Sequence, residues 1–294
     1  MTRLKLALGP ILFYWPRQQV FDFYEAAAAS PVDVIYLGEA VCNKRHQLRI
    51  PEWLDLARYL ADSSAKEVVI SSLILSESSA DLTAIRKVVD NHGLTVEAND
   101  QGAVQLAMER GIPFVCGPTL NVYNARTLGW LAARGARRWV MPVDMDRQGL
   151  QTLLQQRPAI ETEVFAWGKL PLALSARCFT ARHLELTKDN CQYRCIDYPD
   201  GLELASQEGR ELFTINGIQT LSPQPMNLLA QLPEMAAMGV DVVRLSPAAT
   251  GMAEVLAAFD RTRRGGQGGE VIASDGVNGY WFGQPGMVHS PPLG

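Results

Sequence analysis

Short apolar runs alternate with helix-length segments along most of this 294-residue chain, and that alternation limits its fold more than any other feature. The runs are LKLAL (4–8), VDVIYLG (32–38), EVVISSL (67–73), LTVEA (94–98), IPFVC (112–116), RRWVMP (137–142) and TEVFAWG (162–168). Between them lie QQVFDFYEAAAA, PEWLDLARYLA, SADLTAIRKVVDNHG, DQGAVQLAMERG, NARTLGWLAARG and DRQGLQTLLQQR. Gly93, Gly111 and Gly135 stand where left-handed helix C-caps belong. Continuous apolar strands separated by helices of about ten residues predict a parallel sheet covered on both faces. DVVRLSP (241–247), followed by GMAEVLAAFDRT, adds an eighth unit. Eight strand–helix units in this length fit a (β/α)8 barrel of TIM type better than an open doubly wound sheet.

The interval from about 176 to 235 is too long for an ordinary connection. It holds a hairpin pattern around LELAS and ELFTINGIQ, and reads as an insertion after strand seven. The expected organisation is a barrel over 1–260 including this insertion, then a C-terminal extension over 261–294. The basic run RTRRGG (261–266) marks a solvated helix end entering a flexible Gly-rich linker. Dinucleotide and P-loop fingerprints are absent after the early strands, as are H-E-x-x-H and a nucleophile elbow.

A net charge of −4 gives no overall pull toward nucleic acid. Gly9 and Pro10 interrupt the apolar N-terminal run, and no stretch approaches the roughly 20 apolar residues of a transmembrane segment. Five cysteines without an export signal suit reducing cytosol better than a disulfide framework. The chain therefore reads as cytoplasmic, with no direct nucleic-acid partner.

Those cysteines carry the chemistry. Cys178, Cys191 and Cys195 fall in SARCFTARHLELTKDNCQYRC, and Cys42 lies upstream in LGEAVCNKRH. On a helical turn Cys191 and Cys195 are i and i+4 neighbours, able to reach one inorganic centre. Thiolates select iron–sulfur clusters, zinc or cuprous copper, and a close cysteine group plus a distant one is a common way to hold a four-iron cluster. Free, partly buried cysteines are the alternative. Cys42 follows strand two and Cys178 follows strand seven, which puts both at the C-terminal face of a barrel, where active sites lie. Cys116 ends an apolar strand and reads as a packing residue. Glu97, Asn99, Asp100, Asn121, Tyr123, Asn124, Arg244 and Ser246 also fall near strand ends on that face. Helix capping and substrate contact compete as their roles. Of the four histidines, His46 and His183 are near the cysteines in sequence.

The segments EVFAWGKLPLALSARC, VEANDQGAV and GPTLNVYNA resemble the collagenase-like peptidase family, U32, across nearly the whole chain. GKLPLALSARCFTARH, the C-x12-C-x3-C spacing, INGIQTLS and VNGYWFGQPGM are similar to its ubiquinone-biosynthesis branch. That resemblance implies a 4Fe–4S cluster on Cys42, Cys178, Cys191 and Cys195, with Cys116 outside it. It further implies oxygen-independent hydroxylation of a quinone ring, a paralogue of similar size as heterodimer partner, and a lipid-carrier protein presenting the polyprenyl substrate. Peptidase-like relatives commonly have G-A-L-C where this chain has Gly168-Lys169-Leu170-Pro171, a departure that removes a cysteine and argues against peptidase activity. An RNA-modifying hydroxylase and a zinc-stapled scaffold subunit remain open beside this reading.

Overall fold

The computed structural model describes residues 4–266 and 276–290. Seven parallel strands come first: β1 (Lys5–Leu8), β2 (Val34–Leu37), β3 (Glu67–Ser71), β4 (Thr95–Ala98), β5 (Phe114–Cys116), β6 (Ala136–Val140) and β7 (Glu161–Leu174). Helices α1 (Arg17–Ala29), α2 (Ile50–Ser63), α3 (Ser79–Val89), α4 (Gln101–Glu109), α5 (Ala125–Ala132) and α6 (Arg147–Leu154) connect them. Next come α7 (Phe179–His183), β8 (Leu202–Ala205), β9 (Glu211–Asn216), β10 (Gln219–Asn227) and α8 (Leu232–Met238). The last regular elements are β11 (Val242–Leu245) and α9 (Met252–Arg263). Strand β11 pairs in parallel with β1, Lys5 opposite Val242, and with β7, Val242 opposite Glu163. The eight strands therefore close into a barrel of the expected (β/α)8 type.

Local chemistry explains the elements. Asp100 and Asn124 cap α4 and α5, accepting from the backbone N–H of Gly102 at 2.7 Å and Thr127 at 2.8 Å. Capping is thus the role the structure gives these two. Gly111 follows the end of α4 with φ +63°, the left-handed conformation a glycine adopts without steric cost. The main core packs the outer strand faces against the helices. A second, small cluster fills the barrel: Ala7, Val34, Tyr36, Val69, Val115, Val140 and Val242.

Charged groups share that interior. Arg244 pairs with Glu97 at 2.6 Å and Glu163 at 2.5 Å, all three buried. The Tyr36 hydroxyl donates to Glu163 at 2.6 Å and accepts from Arg138 at 3.0 Å. Arg138 continues to Glu67 at 2.7 Å and Glu161 at 2.5 Å. Glu97 and Arg244, candidates for substrate contact from sequence, are consumed in this network.

Strand β7 exceeds its expected length. The apolar pattern ends it at Gly168, yet it runs on to Leu174 because Gly168 takes φ +128° and the chain finds a new partner. Beyond that point β10 pairs antiparallel with it, Met226 opposite Gly168 and Gln219 opposite Leu174. A side chain at 168 would put its Cβ 2.5 Å from Ser246 Cβ. The antiparallel β8–β9 hairpin joins at the β10 edge, so the insertion forms a lobe on the barrel's own sheet. After α9, residues 276–290 return to this region, where Val277 bridges Met226 and buried Trp281 donates to Glu234 at 3.1 Å. The Gly-rich linker expected from sequence continues into residues 267–275, outside the described residues.

Removing the charge shared by both guanidinium groups tests the interior network. Glu163→Gln is expected to cost about 3 kcal/mol, because buried positive charge is left uncompensated. Glu67→Gln, at the partly exposed end, is expected to cost less than about 1 kcal/mol. Denaturant unfolding at unchanged slope measures both.

Candidate functional site

The loop after β2 forms one wall of the site. The Glu39 carboxylate accepts from the backbone N–H of Val41 at 3.0 Å and of Cys42 at 3.1 Å, fixing the turn that carries Cys42. Three residues on, buried Arg45 crosses to other elements. Its guanidinium donates to Leu12 O and to Asn216 Oδ1 of β9, each at 2.7 Å, and lies 3.6 Å from Glu39. This one side chain ties the β2 loop to the inserted lobe.

The lobe supplies the opposite wall. Cys178 caps α7, its sulfur accepting from the backbone N–H of Ala181 at 3.5 Å. The turn at Gly217 holds α7 in place, with Phe179 N–H donating to Gly217 O at 2.7 Å and Gly217 N–H to Thr180 Oγ1 at 3.0 Å. Cys191 and Cys195 do not share a helical turn. Gln192 and Tyr193 between them both take left-handed backbone, φ +52° and +55°, and short 3-10 turns flank the pair. The reversal is anchored from the barrel side, where Lys44 pairs with Asp189 at 2.5 Å and Lys188 with Glu77.

Cys42, Cys178, Cys191 and Cys195 line one small cavity, together with Arg45 and Tyr193. All four are free thiols of intermediate burial. Among the described residues no group of three or more His, Cys, Asp or Glu side chains is arranged to hold a metal ion. What the fold provides is one cavity lined by four cysteines from separate chain positions. Burial pushes the Cys42 thiol up to about 11, with the Arg45 guanidinium opposing it. Cys195 is raised for the same reason, again opposed by Arg45. Burial works against the charge of Arg45 itself, but Glu39 and the sulfurs of Cys195 and Cys42 outweigh that cost.

The donor set suits an iron–sulfur cluster. Bound as thiolates the four would concentrate negative charge, and Arg45 and Lys44 line the same cavity to balance it. Arg45 Nε is buried and has no hydrogen-bond partner, and the guanidinium interacts with the Cys195 sulfur. Sequence reading missed Arg45. KRH after Cys42 was its only trace, and a lone arginine in a loop carries no pattern.

The other candidates fall elsewhere. Cys116 is fully buried in the main core, where burial pushes its thiol up to about 12. Asn99 is buried and donates to Ser72 O and Glu97. Asn121 and Tyr123 line a separate cavity of about 330 Å3, in which Tyr123 donates to Asp144 at 2.6 Å. Ser246 abuts Gly168, and its N–H donates to Trp167 O at 2.8 Å. His46 stacks obliquely near Tyr193, and His183 is exposed at the end of α7.

Residues 20–263 match the profile of Peptidase family U32. The chain belongs to that family. An uncharacterized protease of Methanocaldococcus jannaschii is 24% identical over 224 residues, covering 69% of this chain and 52% of its own length. This U32 chain thus spans about half the length of that curated relative. Solved structures with a similar fold include octameric Rubisco from Pyrococcus horikoshii OT3, with TM-score 0.48 and 12% identity, over 91% of this chain and 59% of that one. Orotidine 5'-phosphate decarboxylase from the same organism has TM-score 0.45 and 9% identity, over 88% and 99%. A 3-hexulose-6-phosphate synthase has TM-score 0.44 and 14% identity, over 90% and 100%.

Thiol reactivity reads out the electrostatics. In metal-free protein, iodoacetamide labelling of Cys42 is expected to be slow at pH 8 and to accelerate toward pH 11, since the raised pKa keeps the thiolate scarce. Arg45→Met removes the opposing charge and should slow labelling further. Labelling of Cys42 at pH 8 at the rate of an ordinary exposed thiol would contradict the site geometry.

Proposed function

We propose that this U32 protein is a UbiV-type iron–sulfur subunit required for oxygen-independent hydroxylation in ubiquinone biosynthesis. The observation that carries the reading is the convergence of Cys42, Cys178, Cys191 and Cys195 on one cavity. The branch-like segments support it. GKLPLALSARC forms the outer half of β7 and its exit, INGIQTLS the turn between β9 and β10, and VNGYWFGQPGM the returning C-terminal stretch. All three meet around β7 and β10.

In this reading the four cysteines hold a 4Fe–4S cluster, which supplies one-electron transfer when bound. Arg45 would donate to the Cys195 sulfur and offset the thiolate charge, while Glu39 and Asn216 hold it in position. Lys44 closes the cavity by pairing with Asp189 of the lobe. With every iron held by a cysteine no position is open to substrate, which favours electron relay over direct substrate binding.

Such a relay needs a partner close by, and the proposed one is a UbiU-like paralogue in a heterodimer. Leu174, Phe179, Tyr193, Leu204 and Leu212 are large apolar side chains exposed on the lobe, as a docking face requires. No helix among the described residues is long and apolar enough to cross a membrane. An accessory lipid-carrier protein would therefore present the polyprenyl substrate.

Deleting the gene is expected to leave aerobic ubiquinone unchanged and to remove anaerobic ubiquinone, with under-hydroxylated polyprenyl precursors accumulating. Wild type and Cys116→Ala should restore it, and Cys191→Ala should not. Normal anaerobic ubiquinone together with a missing hydroxyl on ribosomal or transfer RNA would move the function to RNA modification.

A further inference from the structure

The cavity beside Tyr123, of about 330 Å3, opens past the C-terminal ends of β5 and β6, on the face of a barrel where ligands are ordinarily bound. Its volume is in the range of small-molecule sites. Three segments far apart in sequence build it. GPTLNVYNA brings Pro118 and Tyr123, the outer half of β7 brings Pro171, Leu172 and Leu174, and the returning C-terminal stretch brings Tyr280. The walls are held in place. Thr119 donates to Asn99 O at 2.6 Å, and Asn121 takes left-handed backbone, φ +54°. Tyr280 packs so closely on Gly286 that a Cβ there would lie 2.4 Å from its ring Cε2.

The electrostatics of this cavity are one-sided. Its lining holds one charged group, the Asp144 carboxylate, and no Lys or Arg side chain. Asp144 accepts from the Tyr123 hydroxyl at 2.6 Å and forms no ion pair among the described residues. Arg147, three residues on, does not compensate it: that guanidinium pairs with Glu234 at 3.1 Å and lies 4.9 Å from the Phe282 ring centre. Tyr123 is 47% exposed, a large ring held at an opening rather than packed away. Because its hydroxyl donates to a carboxylate, the ring gains electron density, and its face becomes a better seat for positive charge. An anion has no comparable seat. The N-termini of α5 and α6, which open next to Tyr123, are already capped by Asn124 and Asp146.

We propose that this cavity binds a small organic cation with an apolar body, of the alkyl- or arylammonium class. The body lies along the wall of Pro118, Pro171 and Leu174, the ammonium meets the Asp144 carboxylate, and Tyr123 and Tyr280 supply aromatic surface beside it. A neutral molecule of the same shape would satisfy the wall and leave the carboxylate uncompensated. An anion of that shape would be repelled by it. Strand β7, which makes part of the wall, leads on from Leu174 toward Cys178, so the bound molecule would share the C-terminal face with the cysteine cavity. The assignment does not depend on a cluster being present.

Ligand-observed NMR titration of the full chain at neutral pH with phenethylammonium, phenethyl alcohol and phenylacetate tests the proposal. The ammonium is expected to saturate one site and to bind about tenfold tighter than the alcohol, the equivalent of roughly 1.4 kcal/mol, with phenylacetate weaker still. Asp144→Asn, which still offers the Tyr123 hydroxyl an acceptor, should remove most of that preference and leave the alcohol unaffected. Tyr123→Leu should weaken the ammonium severalfold, and Tyr123→Phe, which keeps the ring, should weaken it less. Both positions are exposed, so all three variants are expected to leave thermal unfolding unaltered. Equal binding of ammonium and alcohol would overturn the assignment. So would ammonium binding indifferent to both Asp144→Asn and Tyr123→Leu, or no saturable binding of the ammonium at millimolar concentration.

Discussion

One strand belongs to two structures, and the rest of the molecule is arranged around it. The first half of β7 closes the barrel against β6 and β11, and its second half, beyond Gly168, is the spine on which β10 and the β8–β9 hairpin assemble. Because no break separates the halves, the lobe is held by main-chain hydrogen bonds rather than by a hinge. Lys169 donates to Asp200 O at 3.1 Å, Asp200 accepts from Ala249 N–H at 2.8 Å, and Trp15 donates to Pro199 O at 2.6 Å. These contacts fasten the lobe across the C-terminal face. Cys178, Cys191 and Cys195 therefore arrive opposite Cys42 by strand geometry.

The barrel interior shows why the cysteine site sits at the rim. In barrels of this type the reacting groups stand at the C-terminal strand ends and point into the mouth. Here Arg244, near the end of β11, is spent on Glu97 and Glu163, and the chain of contacts continues through Tyr36 to Arg138 and Glu161. Charges so well paired hold the strands in register and leave little unsatisfied for a substrate, Arg244 Nη2 being the exception among the network's side-chain atoms. Arg45, whose buried Nε is unpaired, instead belongs to the loop after β2, where the chain is free to carry chemistry.

Much of this architecture was legible in the sequence, for physical reasons. Strands buried on both faces must be continuously apolar, so VDVIYLG and EVVISSL announce themselves, and the caps Asp100 and Asn124 fall where orphan N–H groups need acceptors. The four cysteines stand out because soft ligands are rare in a chain with only five. Long-range pairing was not legible. The extension of β7 through Pro171 depends on β10, some fifty residues away. The left-handed backbone of Gln192 and Tyr193, between Cys191 and Cys195, carries no mark in the sequence. Arg45 is a single loop residue without a repeating pattern, and only burial distinguishes it.

The central claim is that the four cysteines jointly hold an iron–sulfur cluster. Iron, acid-labile sulfide and zinc analysis of the full chain, purified without oxygen, tests it most directly. The account predicts brown protein with about four irons and four sulfides per chain, as a cubane ligated by four cysteines requires. Colourless protein carrying stoichiometric zinc and no sulfide would contradict it.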